Sequence, residues 1–466
     1  MDIIKTMVKF IFSFFILFSL SNNVFAVTKD YKKQFKSSIS SRRLSFKKFG
    51  ISMYKKDLSI GRWKAVLNHN ADKRFIPASI SKVLTGAGLF ELHGGQKKIE
   101  TKVFSSKKPK GKTLKGNLYI KGGGDPTLVS EKMWLLVNEI KKWGIEKVEG
   151  DLIFDGSIFD DETLAGGRTT WNQRAYNAAL SGLALNWNSV RVRFLDGETL
   201  NVVTDPVSPY FDLRPKKMFK KSSQVEIREF KSKEVLSVFY GKDALLKEKS
   251  IYRRVFKPNK NFEVQFVSFL KSAGIKYTGK VRWAKAPEGL FELGKIESAP
   301  MSRMIGLMMK YSNNFIADML TKVSHGEAAN AAGSYKGGLS ILQTNFKKVS
   351  PFSKGVVYES ASGLSRKNKV SPGDFTKFIL ALENKVYFPE LLSSLPISCM
   401  DGTLKDRLCK VPGLVRAKTG LLAGVSTLSG FYKKGLEEYA FTFMYNGSNG
   451  EQFDARQTFD SFLEKL

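Results

Sequence analysis

The apolar residues change spacing along the chain, and those changes predict its elements. "ISMYKKDLS" and "RWKAVLNHN" read as two strands joined by a turn. Pro77 then opens a helical pattern in which Val83, Leu84, Ala87 and Phe90 recur at helical spacing, and Gly94-Gly95 ends it. From Lys97 the chain becomes lysine- and glycine-rich. There "GNLYIKGGGDPTL" predicts a strand running into a tight glycine turn. "SEKMWLLVNEIKKWG" predicts an amphipathic helix and "KVEGDLIFDGSIF" another strand. This alternation predicts a small α/β domain. Residues 200–260 are strand-rich, basic and irregular, as an inserted module is, and "NFEVQFVSFLKSAGI" resumes a helix.

From Ser302 a long helical region is expected over 302–323, with Met304, Leu307, Met308, Phe315, Met319 and Leu320 as its apolar pattern. Near the end, "GVSTLSGFYKK" and "EYAFTFMYNG" predict an antiparallel strand pair, and "FDARQTFDSFLEKL" an amphipathic helix. Val27 to Gly50 is basic and serine-rich, and no element is predicted there.

The 466 residues, 42% of them hydrophobic, suffice for two or three packed domains. Lys5 and Lys9 precede "FIFSFFILFSL", and Val24-Phe25-Ala26 closes that run. This is the pattern of an export signal cleaved after Ala26, with a retained N-terminal anchor as the other reading. No cysteine follows the run, which disfavours a lipoprotein, and no later segment reads as a membrane span. The expectation is an exported protein, soluble or peripherally bound. The net charge of +33 implies an anionic partner surface: nucleic acid, anionic lipid or a bacterial wall. The lysines are dispersed without a nucleic-acid motif, and export also argues against nucleic acid. A solvated basic surface accounts for any single lysine run.

The two cysteines, Cys399 and Cys409, are spaced for a disulfide, but the sequence leaves both paired and free states open. The three histidines, His69, His93 and His325, show no metal-ligand spacing, and neither metal nor cofactor is expected. Acid–base chemistry is therefore expected from Lys, Ser, Asp or Glu.

Three short motifs carry candidate chemistry: Ser79-Ile80-Ser81-Lys82, Ser312-Asn313-Asn314 and Lys418-Thr419-Gly420. The first pattern alone is weak, because Ser45/Lys48 and Ser105/Lys108 repeat it. Context separates them: the first motif opens a helix, the second lies in a helical stretch, and the third precedes a strand. On a helix, residues three apart share a face, so Lys82 can reach the Ser79 hydroxyl. Serine is a poor nucleophile until a base takes its proton, and lysine is such a base only when burial or a nearby cation depresses its pKa. Lys418 is the expected cation. Ser312 is a candidate proton relay, and Asn314 a candidate for orienting Lys82 and a substrate amide. The backbone N–H groups of Ser79 and Leu421 are candidate oxyanion donors. The strand after Lys418 is expected to take an extended peptide by edge pairing.

With these motifs and "PASISKVLTG", "GNLYIKGGGDPTL", "GDLIFDGSIF", "KYSNNFIADML", "SGLSRKNKVSP", "DGTLKDRL" and "VRAKTGLLAGVSTLSGF", the chain resembles the class C low-molecular-mass penicillin-binding proteins. These are D-alanyl-D-alanine carboxypeptidases and endopeptidases of the penicillin-binding protein 4 type. The resemblance implies an α+β fold: a penicillin-recognising transpeptidase-like domain, with an antiparallel sheet between helix layers. Two smaller domains are then inserted between the first and second motifs. The expected division is 1–26 signal, 27–96 plus 292–466 catalytic, 97–200 plus 260–291 inserted α/β, and 201–259 a second, strand-rich insert. The resemblance also implies Ser79 as the acylated nucleophile, Lys82 as its base, and Ser312, Asn314 and Lys418 as cleft residues. Lys418 and Thr419 would bind the terminal carboxylate, next to Gly420 and Leu421. Arg366 and Gln173 match positions that meet the peptide's diamino-acid side chain, though a surface salt bridge also accounts for an arginine at 366. Peptidoglycan peptides are the implied substrates, β-lactams the covalent inhibitors, and an anionic wall or membrane the peripheral contact.

Three positions depart from the family pattern. Leu421 stands where a hydroxyl residue is usual, Gln173 where an acidic one is, and "ESASGLSR" replaces an acidic-glycine phrase. A β-lactamase and a non-catalytic wall-binding protein are the alternative readings. The wall-hydrolase phrases disfavour the first, and retention of every catalytic side chain disfavours the second.

Overall fold

The computed structural model describes residues 30–39, 42, 44–195, 201–218, 223–230, 233–240, 249–351 and 355–466. The expected signal at 1–26 lies outside them. Five strands form an antiparallel sheet in the order Val415–Leu422, Val425–Lys434, Glu437–Asn446, Phe49–Asp57, Arg62–His69. Alternation along Glu437–Asn446 builds the layers on either side. Tyr439, Phe441, Phe443 and Tyr445 join a core with Phe35, Phe459 and Phe462 from the helices Tyr31–Ile39 and Glu451–Leu463. Ala440 and Met444 join the opposite core, with residues of the helices Ser81–His93, Met301–Lys310, Asn314–Ala329 and Pro372–Ala381. An antiparallel sheet between helix layers is thus present, as expected.

The helix Tyr31–Ile39 falls in the stretch for which no element was expected. Its few apolar residues carry little periodic signal. Docking decides it: Phe35 is fully buried, which contributes about 1.5–3 kcal/mol.

Between the first and second motifs the chain builds further sheets. A mixed five-stranded sheet runs Val281–Trp283, Leu152–Asp155, Leu118–Lys121, Glu100–Ser105, Phe291–Glu297. The helices Ser130–Lys141 and Pro258–Ser272 share its core through Met133, Leu136, Phe262 and Phe266. Two three-stranded sheets then share a small core of Val190, Val192 and Phe194 with Val225, Ile227 and Leu236. Two expected boundaries shift. Phe291–Glu297 pairs with Glu100–Ser105, so a return to the catalytic domain at 292 falls inside a strand of the inserted sheet. Ser189–Leu195 pairs with Lys249–Arg254 and Asn201–Asp205, which places it with the second insert rather than the first. Backbone pairing with strands distant in sequence sets both limits, and composition does not register it. Among the described residues no helix is long and apolar enough to cross a membrane.

Candidate active site

Ser79 sits in a 3-10 turn, Ala78–Ile80, directly ahead of the helix Ser81–His93. Ala78 has φ +49°, a region that alanine rarely occupies, so the surroundings hold the turn. Gly363, at φ +75°, packs so closely that a Cβ on it would stand 1.9 Å from the Ala78 carbonyl oxygen. Lys82 lies in the first turn of the helix with no exposed surface. Its Nζ donates to Ser79 Oγ at 3.0 Å, to Asn314 Oδ1 at 2.8 Å and to the Ser362 carbonyl at 2.6 Å.

The second motif lies between two helices rather than inside one. Met301–Lys310 ends, Ser312 takes φ +53°, and Asn314–Ala329 begins. The continuous helix expected over 302–323 is therefore broken at the motif. Asn313 supplies the reason: its Oδ1 accepts from Ile316 N at 3.1 Å, an N-cap that starts a new helix. The break leaves Ser312 facing the third motif, and the first residue of the new helix, Asn314, facing Lys82.

Lys418-Thr419-Gly420 lies within the edge strand Val415–Leu422 rather than ahead of a strand. Lys418 is fully buried and donates to Ser312 Oγ at 2.9 Å and to the Thr419 carbonyl at 2.8 Å. Thr419 Oγ1 is 2.7 Å from Thr403 Oγ1, which is carried on the loop closed by the Cys399–Cys409 disulfide. A Cβ on Gly420 would stand 2.2 Å from Thr427 Oγ1 and 2.9 Å from Ser79 N, so glycine is required for the strand to approach the serine turn.

Burial dominates the electrostatics. It depresses the Lys82 ammonium to about 7, with Asp318 opposing the shift and Arg168 adding to it. Burial also pushes Lys418 well down, and the positive charge of Lys82 pushes it further. For Lys82, desolvation comes first and the cation that adds to it is Arg168, rather than the Lys418 expected from the sequence.

The two decoy pairs are accounted for elsewhere. Lys48 Nζ is 2.9 Å from Glu451, and Ser105 Oγ donates to the Lys107 carbonyl at 2.7 Å.

The outlying candidates divide. Arg366 Nη1 donates to the Ala423 carbonyl at 2.8 Å, beside the end of the strand that carries Leu421. Leu421 is exposed there. Gln173 is tied to the second insert: its Oε1 accepts from Ile227 N at 3.0 Å, and its carbonyl accepts from Arg254 N at 3.0 Å. Its amide oxygen thus already accepts one bond from the second insert, and its second lone pair is the acceptor left for a substrate amine. Exposed Trp171 and Tyr176 flank it, and the Tyr176 carbonyl accepts from Asn314 Nδ2 at 3.4 Å.

Sequence reasoning missed a buried group behind Lys82. Asp318 pairs with Arg168, and both side chains are fully buried. Asp318 Oδ1 accepts from Tyr335 Oη at 2.7 Å and from Ser362 N at 3.2 Å. Asp318 follows Asn314 by one helical turn, and that spacing was the available signal. Arg168 had none.

A model of the D-Ala-D-Ala carboxypeptidase 3 (S13) family matches residues 34–466. The chain belongs to this family. Two curated relatives agree with it. A D-alanyl-D-alanine carboxypeptidase of Actinomadura sp. (strain R39) is 27% identical over 82% of this chain and 75% of its own. D-alanyl-D-alanine carboxypeptidase DacB of Haemophilus influenzae is 28% identical over 84% of each. Among solved structures, penicillin binding protein 4 (dacB) from Haemophilus influenzae superposes with a TM-score of 0.77 at 23% identity, over 93% of this chain and 98% of that one. The S13 family and the superposed fold agree with the architecture derived above.

Proposed function

We propose that this protein is an exported serine DD-peptidase that cleaves D-alanyl peptide bonds of peptidoglycan, as carboxypeptidase and endopeptidase, through an acyl-enzyme on Ser79. The observation that carries this reading is the buried Lys82 Nζ at 3.0 Å from Ser79 Oγ, with its pKa near neutrality. Ser79 Oγ attacks the D-alanyl carbonyl while neutral Lys82 takes its proton. The N–H groups of Ser79 and Leu421 hold the oxyanion, each worth about 3–4 kcal/mol of the barrier. As the C–N bond breaks, the proton passes through Ser312 to the leaving amine. Lys82 then activates the water that frees Ser79. Lys418 and Thr419 receive the substrate's terminal carboxylate, whose charge favours a protonated Lys418. Arg366 lies where the rest of the peptide would pass. β-Lactams acylate the same serine.

The segments before Lys97 and after Glu297 form the catalytic unit in this reading, and the intervening sheets are two inserts. Residues 1–26 direct export to the periplasm, and the excess positive charge favours contact with an anionic wall or membrane surface. The test is to incubate wild type and a Ser79→Ala variant with whole peptidoglycan and analyse the products. Wild type should release D-alanine or separated cross-links and the variant neither. A wild-type protein that releases neither overturns the reading.

A further inference from the structure

Residues 165–178 carry Trp171, Gln173 and Tyr176 and meet the second motif where the Tyr176 carbonyl accepts from Asn314 Nδ2. Arg168 closes both ends of this strap: its Nε donates to the Ala178 carbonyl at 2.7 Å and its Nη1 to the Ala165 carbonyl at 3.0 Å. The same Nη1 pairs with Asp318 Oδ2. Asp318 in turn holds Ser362 N, and the Ser362 carbonyl accepts from Lys82 Nζ. A continuous line of contacts thus runs from the strap to the base. Arg168 Nη2 is buried with no hydrogen-bond partner among the described residues. Burying a guanidinium with one nitrogen unsatisfied is costly, and a neutral side chain could staple two carbonyls at lower cost. What a neutral side chain cannot do is balance the Asp318 charge.

We propose that Arg168 is a positioning residue for the acylation step: it neutralises Asp318 behind Lys82, which keeps the base uncharged and the Ser362 carbonyl in place. This deepens the proposed function and rests on it. The charged groups coupled to Lys82 are Asp318 on Asn314–Ala329, Arg168 on the strap and Lys418 on the edge strand; around them, Tyr335 on Tyr335–Lys347 meets Asp318, and Tyr358 meets Thr85 on the Lys82 helix. Both tyrosines are held in their neutral form by burial and do not contribute charge. Asp318 is the only carboxylate in that set, so its compensation decides the balance. Without Arg168, Asp318 holds a proton on Lys82. Without Asp318, Arg168 repels one.

The experiment measures the second-order rate of labelling by a fluorescent penicillin from acid to alkaline pH. Four variants are compared with wild type: Arg168→Met, Arg168→Lys, Asp318→Asn, and the double variant Arg168→Met/Asp318→Asn. Arg168→Met should move the acid limb upward by about one pH unit, about tenfold slower labelling on that limb, with recovery at higher pH. Asp318→Asn should move it downward, and the double variant and Arg168→Lys should return it toward wild type. A purely structural role lowers the rate equally at every pH, and limbs that stay fixed overturn the proposal. If Arg168→Met does not fold, the downward shift in Asp318→Asn decides alone. Wild type that takes no label defeats the proposed function instead, so the two failures are distinct.

Discussion

The carbonyl oxygen of Ser362 lies 2.6 Å from Lys82 Nζ and 3.4 Å from Ser79 Oγ, so one backbone atom accepts from both the base and the nucleophile. The next residue, Gly363, fixes that atom by packing against Ala78 at a backbone angle closed to most side chains. Gly363→Ala adds a Cβ where none fits and strains a left-handed φ. The expected result is a stability loss of about 1–3 kcal/mol and at least about tenfold slower penicillin acylation. Thermal unfolding and labelling rates check it. Unchanged acylation would show that the Ser362 carbonyl does not position the pair.

With Lys82 depressed to about 7 by burial, acylation should rise with pH through neutrality and flatten above it. Lys82→Arg keeps the charge and length but cannot give up a proton. Its acylation should fall by about 10²–10⁴ at every pH, with no limb near neutrality. A labelling rate independent of pH in wild type would exclude Lys82 as the titrating base.

Ser79 and Lys82 were legible because helical spacing is local. Lys418 and Ser312 were legible only as motifs, since their contact joins residues 106 apart. The helix break at Ser312 was hidden because Met304, Met308, Phe315 and Met319 keep an apolar pattern on both sides of it. The cap of Asn313 overrode that pattern. Arg168 and Asp318 are 150 residues apart and share no motif, and only folding reveals that each neutralises the other. Gln173 was placed by its neighbours in sequence, and its bond to Ile227, 54 residues away, is a contact that only folding reveals.

A buried lysine near the serine should cost stability. Its folded pKa, about 7, is below the 10.5 of an ordinary lysine, so between those values the unfolded chain binds more protons. Stability from this group therefore rises with pH across that window, and the cost is greatest at and below neutrality. Lys82→Met removes the cost and relieves Lys418 of a repelling neighbour, at the loss of three hydrogen bonds. We expect the variant to be inactive and more stable at pH 7 by about 1–3 kcal/mol, with the gain shrinking toward pH 10. Unfolding temperatures across that pH range test it. A loss of stability that does not vary with pH would contradict the assignment of a neutral, desolvated base.

Thr419 is proposed to bind the terminal carboxylate, and its hydroxyl is held at 2.7 Å by Thr403. Thr403 belongs to a short 3-10 turn, Gly402–Leu404, within the disulfide-closed loop. A fixed partner holds the Thr419 side chain in place before substrate arrives, with either hydroxyl able to donate, which reduces the ordering that binding must supply. Thr403→Val keeps the shape and removes the partner. KM for a peptide ending in D-alanyl-D-alanine should rise about 3–10-fold, the worth of one hydrogen bond, while kcat changes less than about twofold. Steady-state release of D-alanine separates the two constants. A fall in kcat at constant KM would instead place Thr403 in the chemical step and remove Thr419 from carboxylate binding.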